Sequence, residues 1–194
     1  MMRTSHLILL SALLLTGLSA CAPAVVGGAA AGGLAAADRR TSGTYVEDEG
    51  IEWKALTRIN ETLGDKVHVN VTSFNRNVLL TGEATDEAAK QKAESIAKEV
   101  QNVRNVTNEL AIALPSAITS RSNDTYLTSL VKGNMLKDNQ GRFAPIHVKV
   151  VTENSVVYLM GMVTRQEAEA AKEIARNTSG VEKVVTVFEY VVVE

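Results

Sequence analysis

The residue best suited to covalent chemistry is Cys21, the single cysteine of the 194-residue chain. It follows Leu18-Ser19-Ala20, at the end of an apolar run that begins at Leu7 and is preceded by Arg3. A charged start, an apolar middle and small residues before a cleavage point are typical of a secretory signal peptide. A transmembrane helix and an ordinary buried cysteine are the alternatives, but this run of about a dozen residues is shorter than the roughly 20 that span a bilayer.

Leu18-Ser19-Ala20-Cys21 resembles the lipobox of bacterial lipoproteins. The resemblance implies that residues 1–20 are a lipoprotein signal peptide, that the Cys21 thiol carries diacylglycerol, and that its new amino group carries a fatty acid such as palmitate. Several acyl chains on one residue hold a protein stably on a membrane. Ala22 stands where inner-membrane lipoproteins carry Asp, so the resemblance implies the outer membrane, and we expect the periplasmic face.

Composition leaves room for one ordinary domain or two small ones after the signal peptide. The net charge of −2 gives no overall basic character that would favour nucleic acid. Residues 21–44 are rich in Ala, Gly and Val, which predicts a flexible tether behind the anchor. Arg39 and Arg40 near its end are expected to be a solvated linker pair, with contact to lipid headgroups as the alternative.

The remainder of the chain is an internal repeat. His68-Val69-Asn70-Val71 corresponds to His147-Val148-Lys149-Val150 at a spacing of 79 residues. Upstream, Ile51, Ala55 and Ile59 correspond to Leu127, Val131 and Met135 at a spacing of 76. Corresponding residues in the same order and at nearly constant spacing indicate two copies of one small domain. We place copy one at 45–114, a linker at 115–121 and copy two at 122–194.

Each copy has the pattern helix, strand, strand, helix, strand. The predicted class is therefore α+β, with a three-stranded mixed sheet packed on two helices in each copy, because a strand-helix-strand crossover favours parallel pairing. Asp48 and Asp124 are expected to cap the first helices, and Gly82 and Gly161 to end the second strands. Copy one's third strand is expected over residues 106–112.

The strand-Gly-Thr-Ala pattern of both copies and the lipobox resemble the outer-membrane and division-site lipoproteins that contain two BON domains. Asn123-Asp124-Thr125-Tyr126 and Leu159-Met160-Gly161 are especially similar. The resemblance implies a non-enzymatic, membrane-associated protein whose second copy binds anionic phospholipid of the phosphatidylglycerol or cardiolipin type and supports envelope integrity. The alternative is a periplasmic adaptor that recruits outer-membrane assembly machinery or a cell-wall amidase activator.

The mature chain has no recognisable catalytic set. His68 and His147 occupy equivalent places at strand starts, and residues related by duplication need not meet in space. A metal site would also need further ligands. We therefore expect no enzyme activity, no metal, no cofactor, no small-molecule substrate and no nucleic-acid partner.

Charge distinguishes the two copies. Residues 45–114 carry a net charge of −4, whereas residues 122–194 carry −1. The first helix of copy two contains Lys132 and Lys137, and an anionic bilayer attracts each nearby cation by about 1 kcal/mol. Helical spacing places Tyr126, Leu130 and Lys137 on one ridge.

These four residues, Tyr126, Leu130, Lys132 and Lys137, are the predicted phospholipid-binding set. The alternative is that Tyr126 and Leu130 pack against copy one or their own sheet. Trp53, on the matching helix of copy one, is expected to pack between the domains or against the tether.

Overall fold

A computed structural model describes residues 38–114 and 118–192, and every structural statement below concerns those residues. The first copy contains α1 (Ser42–Leu63), β1 (Val67–Phe74), β2 (Asn77–Ala84), α2 (Glu87–Lys98), β3 (Asn105–Asn108) and β4 (Ala111–Ile112). The second contains α3 (Ile118–Asp138), β5 (Val148–Glu153), β6 (Val156–Val163), α4 (Arg165–Arg176) and β7 (Lys183–Tyr190). Single turns of 3-10 helix precede β1 at Gly64–Lys66 and β5 at Pro145–His147.

The first helix of each copy buries the predicted apolar stripe. Ile51, Ala55 and Ile59 are buried along α1, and the matching three residues of α3, Leu127, Val131 and Met135, are also buried. Positions four apart recur on one face of a helix, so this face packs on the sheet.

The predicted caps of these helices are wrong. Helices α1 and α3 begin at Ser42 and Ile118, six residues before Asp48 and Asp124. Thr41 caps α1, because its hydroxyl accepts a hydrogen bond of 3.1 Å from the Thr44 amide. Both aspartates therefore lie inside their helices, on the face that meets the sheet.

The two aspartates hold the hairpin turns. The turn residues Asn75 and Arg76 have φ of 51° and 64°, the left-handed conformation of a two-residue hairpin turn. The Asp48 carboxylate accepts hydrogen bonds from both of their amides, at 2.9 and 2.7 Å. Asp124 repeats this in copy two with the amides of Asn154 and Ser155, at 2.8 and 2.9 Å. A helix is thus tied to a hairpin turn in each copy.

The mixed sheets form as predicted. β1 pairs antiparallel with β2, and β2 pairs parallel with β3. The same order, antiparallel then parallel, joins β5, β6 and β7. The third strand of copy one differs from the prediction because it is interrupted: β3 and β4 both pair with β2, while buried Leu110 lies between them.

Gly82 and Gly161 lie within their strands instead of ending them, since β2 continues to Ala84 and β6 to Val163. Gly82 faces Val69 on β1, and Gly161 faces Val148 on β5. A Cβ atom at either glycine would overlap the carbonyl oxygen of His68 or of His147, respectively. The glycines therefore permit close approach of the paired strand.

The two sheets pack against each other, with the helices on the outside. Along β2, Val78 and Leu80 face the helices of copy one, whereas Leu79 faces copy two. Along β6, Tyr158 and Met160 meet Leu79 in a shared apolar cluster. Alternate residues of a strand point to opposite faces, so the order of layers is helix, sheet, sheet, helix.

The position of Tyr158 between the two sheets changes the pKa of its phenol. Burial, together with the charges of Glu109 and Glu153, raises the pKa of the Tyr158 phenol to about 12.

No helix among the described residues is long and apolar enough to cross a membrane.

Candidate functional site

The outward side of α3 carries three of the residues that the sequence assigns to membrane contact. Tyr126 is 61% exposed, Leu130 is half-buried and Lys137 is exposed. Leu130 follows Tyr126 by one turn and Lys137 follows Leu130 by two, so the three share one side of the helix. We call these three residues the ridge. Packing of Tyr126 against copy one or its own sheet is excluded by its exposure.

Lys132 does not belong to the ridge. It is exposed, but it follows Tyr126 by six residues, which places it about 120° away around the helix. The four predicted residues are therefore not brought together as one set.

Leu136 is the residue that sequence reasoning missed. Its side chain is 72% exposed in the last turn of α3, beside Lys137. It belongs to neither the buried stripe nor the predicted ridge. The sequence does contain the signal for its exposure, because Leu136 is an apolar residue that lies outside the buried stripe of α3. Leu136 follows Leu130 by six residues and Lys132 by four, so it lies on the side of the helix that carries Lys132 and not on the ridge.

Helix α1 of copy one also has an exposed apolar pair. Val46 is 71% exposed and Trp53 is 68% exposed, seven residues apart on one side of the helix. The expectation that Trp53 packs between the domains is therefore wrong.

The acidic residues of α1 are not all free to meet a partner. Glu52 accepts hydrogen bonds from the Ser73 amide, at 2.7 Å, and from Nζ of Lys149 in copy two, at 2.8 Å. Glu47 lies 3.6 Å from Nε of Arg76. Lys149 is thus paired across the domain junction, and its charge contributes little to a copy-two surface.

Residues 38–40 form a connection between the two copies that we call the clasp. Arg39 binds Glu167 of copy two with two hydrogen bonds of 2.7 and 2.9 Å, and donates a third of 2.7 Å to the carbonyl of Met162. Arg40 binds copy one instead: its guanidinium lies 3.1 Å from Asp48 and 3.9 Å from the centre of the Phe74 ring.

The expectation that Arg39 and Arg40 are a solvated linker pair is wrong, because both guanidinium groups are held by partners in the fold. Their side chains are 21% and 8% exposed. Neither is available for the alternative role, contact with lipid headgroups. Arg39 and Arg40 therefore lie at the junction of the two copies.

Glu167 joins the clasp to the start of α4. Its carboxylate accepts from the Thr164 amide at 2.7 Å, and the Thr164 hydroxyl accepts from the Glu167 amide at 3.2 Å, which is a reciprocal capping box. Burial favours a higher pKa for this carboxyl, but the hydrogen bonds and charge of Arg39 and the Thr164 bonds outweigh burial and lower its pKa to about 2.

We expect Glu167 to make stability depend on acidity. Since its folded-state pKa is depressed from 4.5 to about 2, its contribution is complete above pH 4.5 and is lost as the pH falls toward 2. The free energy of unfolding, measured by urea denaturation between about pH 5 and about pH 2.5, should therefore fall with acidification. Other carboxyl groups add to this slope, so the informative quantity is the difference from Arg39→Ala, which should show a shallower slope. Equal slopes would contradict the assignment to the clasp.

The two histidines at equivalent positions of the repeat have separate partners. Nδ1 of His68 lies 2.9 Å from Glu83, whereas Nδ1 of His147 lies 3.6 Å from Glu167. Within residues 38–114 and 118–192 there is no group of three or more His, Cys, Asp or Glu side chains placed to hold a metal ion. Cys21 lies outside the described residues, and its acylation stays a prediction.

The BON domain model matches the chain twice, at residues 47–113 and 123–191. This chain belongs to the BON-domain family. The α+β architecture and the two mixed sheets are those of tandem BON domains. The second match includes the ridge on α3, and the first includes Trp53.

Three curated relatives extend the comparison. The outer membrane lipoprotein DolP of Haemophilus influenzae is 39% identical over 175 residues, covering 89% of this chain and 90% of the relative. The 21 kDa hemolysin of Actinobacillus pleuropneumoniae is 33% identical over 156 residues, covering 79% of each chain. Osmotically-inducible protein Y of Escherichia coli is 29% identical over 147 residues, covering 73% and 72%. The similarity to the Haemophilus influenzae lipoprotein, together with the two BON domains, supports an outer-membrane lipoprotein.

Proposed function

We propose that this BON-domain lipoprotein performs no reaction, is held on the periplasmic face of the outer membrane by acylated Cys21, and docks copy two on anionic phospholipid of the phosphatidylglycerol or cardiolipin type. The observation that carries the proposal is the exposed Tyr126, one turn from Leu130 on the outward side of α3. Docking would support envelope integrity and favour membrane regions rich in anionic lipid, such as the division site.

The ridge suits an anionic bilayer in both chemistry and charge. A tyrosine ring is amphipathic and rests at the depth of the headgroups, while a lysine at the helix end reaches phosphate. The matching helix of copy one has Gly50 and Lys54 in place of Tyr126 and Leu130, and exposed Glu49 and Glu61 on its outward side. An anionic surface repels those carboxylates, which favours copy two over copy one.

We expect the ridge variants to bind vesicles less well than wild type. The assay is co-sedimentation of the unacylated chain from Ala22 onward with phosphatidylglycerol vesicles, and with phosphatidylcholine vesicles for comparison. Tyr126→Ala should weaken binding to the anionic vesicles about tenfold, because it removes roughly 1.5 kcal/mol of interfacial burial. Leu130→Glu should weaken it further, since it also adds a repelled charge.

Trp53→Ala is the matched control, because it removes an equally exposed aromatic side chain from the same kind of helix in copy one. It should leave vesicle binding unchanged. If Tyr126→Ala and Leu130→Glu also bind like wild type, the ridge is not the docking site.

The second candidate function is a periplasmic adaptor, favoured by the exposed Val46 and Trp53 on α1. Helices α1 and α3 belong to opposite outer layers, so a protein of the outer-membrane assembly machinery or an amidase activator would have its own surface on copy one. Crosslinking from position 57 in cells, with wild type and Trp53→Ala, tests this role. A partner whose capture does not change in Trp53→Ala would argue against it.

A further inference from the structure

The outer surface of α4 in copy two forms an open groove of about 780 Å³ with four cationic side chains on its walls. Arg165, Lys172 and Arg176 recur at seven and four residues along α4, so they lie on its outward side. Arg142 reaches the same groove from the loop between α3 and β5. Two carboxylates, those of Glu169 and Glu173, also line it.

The carboxylates leave the groove with an excess of positive charge. Nη1 of Arg142 lies 2.7 Å from Glu173, and Nζ of Lys172 lies 3.5 Å from Glu169. Arg165 instead has its guanidinium 5.0 Å from the centre of the Tyr190 ring, and Arg176 is exposed. Four cations against two anions give a net charge of +2 that faces solvent.

Copy one provides an internal comparison, because its second helix is capped at Asp86 as α4 is capped at Thr164. Counted from the caps, Glu87 and Glu94 of α2 take the places of Arg165 and Lys172. The loop that carries Arg142 is also longer than the single turn Gly64–Lys66 of copy one. Lys98 takes the place of Arg176, so the comparison shows that the shared fold does not require the cations of Arg165 and Lys172.

The groove lies on the same outer layer as the ridge. Helices α3 and α4 bury their inward faces in one core against β5, β6 and β7. Their neighbouring sides are joined by a hydrogen bond of 2.9 Å from Asn134 to the Thr178 hydroxyl, beyond the end of α4, and by the Arg142–Glu173 ion pair. An apolar ridge on one helix is thus flanked by a cationic groove on the next.

We propose that the α4 groove of copy two is a second element of the membrane-docking face and binds the phosphate of anionic phospholipid headgroups. The proposal rests on the proposed function. Guanidinium groups form paired hydrogen bonds with phosphate oxygens and retain their charge at all physiological pH values. The ridge supplies apolar contact, and the groove supplies the charge that distinguishes anionic from zwitterionic lipid.

The test uses the full mature, acylated protein in neutral detergent micelles, with calorimetric titration of phosphatidylglycerol doped into the micelles. Arg165→Gln combined with Arg176→Gln should weaken phosphatidylglycerol binding about thirtyfold, because two cations near the lipid surface are removed and each is attracted by about 1 kcal/mol. Arg58→Gln combined with Lys92→Gln removes the same charge from exposed positions on the helices of copy one and should change binding less than twofold. Thermal unfolding of both double variants serves as the check that they are folded.

The outcomes separate the groove from the ridge. Unchanged phosphatidylglycerol binding by the α4 double variant, or an equal loss in the copy-one double variant, would overturn the groove proposal. Loss in the α4 variant together with normal binding by Tyr126→Ala would uphold the groove and remove the ridge from the proposed function. Titration with inorganic phosphate is the last arm: binding as strong as that of the lipid would assign the groove to a soluble anion and overturn the lipid assignment.

Discussion

Asp48→Ala is expected to lower the free energy of unfolding by about 3 to 5 kcal/mol, the range found when one partner of a buried ionic network is removed. The Asp48 carboxylate is 2% exposed and accepts from the amides of Asn75 and Arg76 and from the Ser73 hydroxyl, at 2.7 to 2.9 Å. It also neutralises Arg40 of the clasp. Its removal leaves these buried donors without an acceptor, which costs more than the bonds themselves contribute.

Urea denaturation followed by circular dichroism measures this loss, provided that the dependence on denaturant keeps its slope. Asp124→Ala is the matched control from the second copy. Its carboxylate accepts from the amides of Asn154 and Ser155, whereas the Ser73 hydroxyl bond and the ion pair with Arg40 belong to Asp48. A smaller loss, about 2 kcal/mol, is therefore expected. Equal losses in the two variants would contradict the additional role of Asp48 in the clasp.

Gly82→Ala is expected to destabilise the chain by about 3 kcal/mol or more, which is large for the addition of one methyl group. The added Cβ would overlap the His68 carbonyl oxygen, and that atom belongs to the paired strand, so it cannot rotate away. The backbone at Gly82 also has φ of 113°, a conformation that costs other residues about 1 to 3 kcal/mol.

Gly161→Ala separates these two effects. It meets the His147 carbonyl oxygen in the same way, but its backbone is not in the left-handed region, so its loss should be smaller than that of Gly82→Ala. Gly50→Ala is the control, since nothing lies within 4 Å of a Cβ at that helical position. Alanine there should stabilise the helix by up to about 1 kcal/mol. If Gly82→Ala were as stable as Gly50→Ala, the close strand contact would not exist in solution.

The clasp connects the two copies and so fixes their arrangement relative to each other. Arg39 binds α4 of copy two near the capping box, while Arg40 binds the aspartate that holds the copy-one hairpin. The predicted flexible tether, residues 21–44, is wrong at its end, because residues 38–40 are fixed to both domains and α1 begins at Ser42. The domains are held as a pair by contacts that also include Lys149–Glu52. A docking face on copy two would then keep a defined orientation relative to copy one and to the clasp.

The fold was largely predictable from the sequence, because the determining patterns are local and were duplicated. The four-residue spacing of Ile51, Ala55 and Ile59, and its repetition in copy two, predicts a helix with one buried side wherever it occurs. Strand, glycine, helix and strand follow in the same order twice, which predicts two copies of one α+β domain. The exposed position of Tyr126 and Lys137 likewise follows from helical spacing within a single element.

The tertiary structure alone decided the partners of the charged residues. Arg39 and Glu167 are 128 residues apart, and Lys149 and Glu52 are 97 apart, so no periodicity connects them. The capping role expected for Asp48 is wrong for the same reason, since the amides that donate to its carboxylate belong to a hairpin turn and not to the start of its own helix. Trp53 faces solvent because the sheets form the apolar contact between the copies, and Trp53 lies on the outer side of α1. Periodicity reports which side of an element is buried, whereas ion pairs between distant elements depend on how those elements are packed.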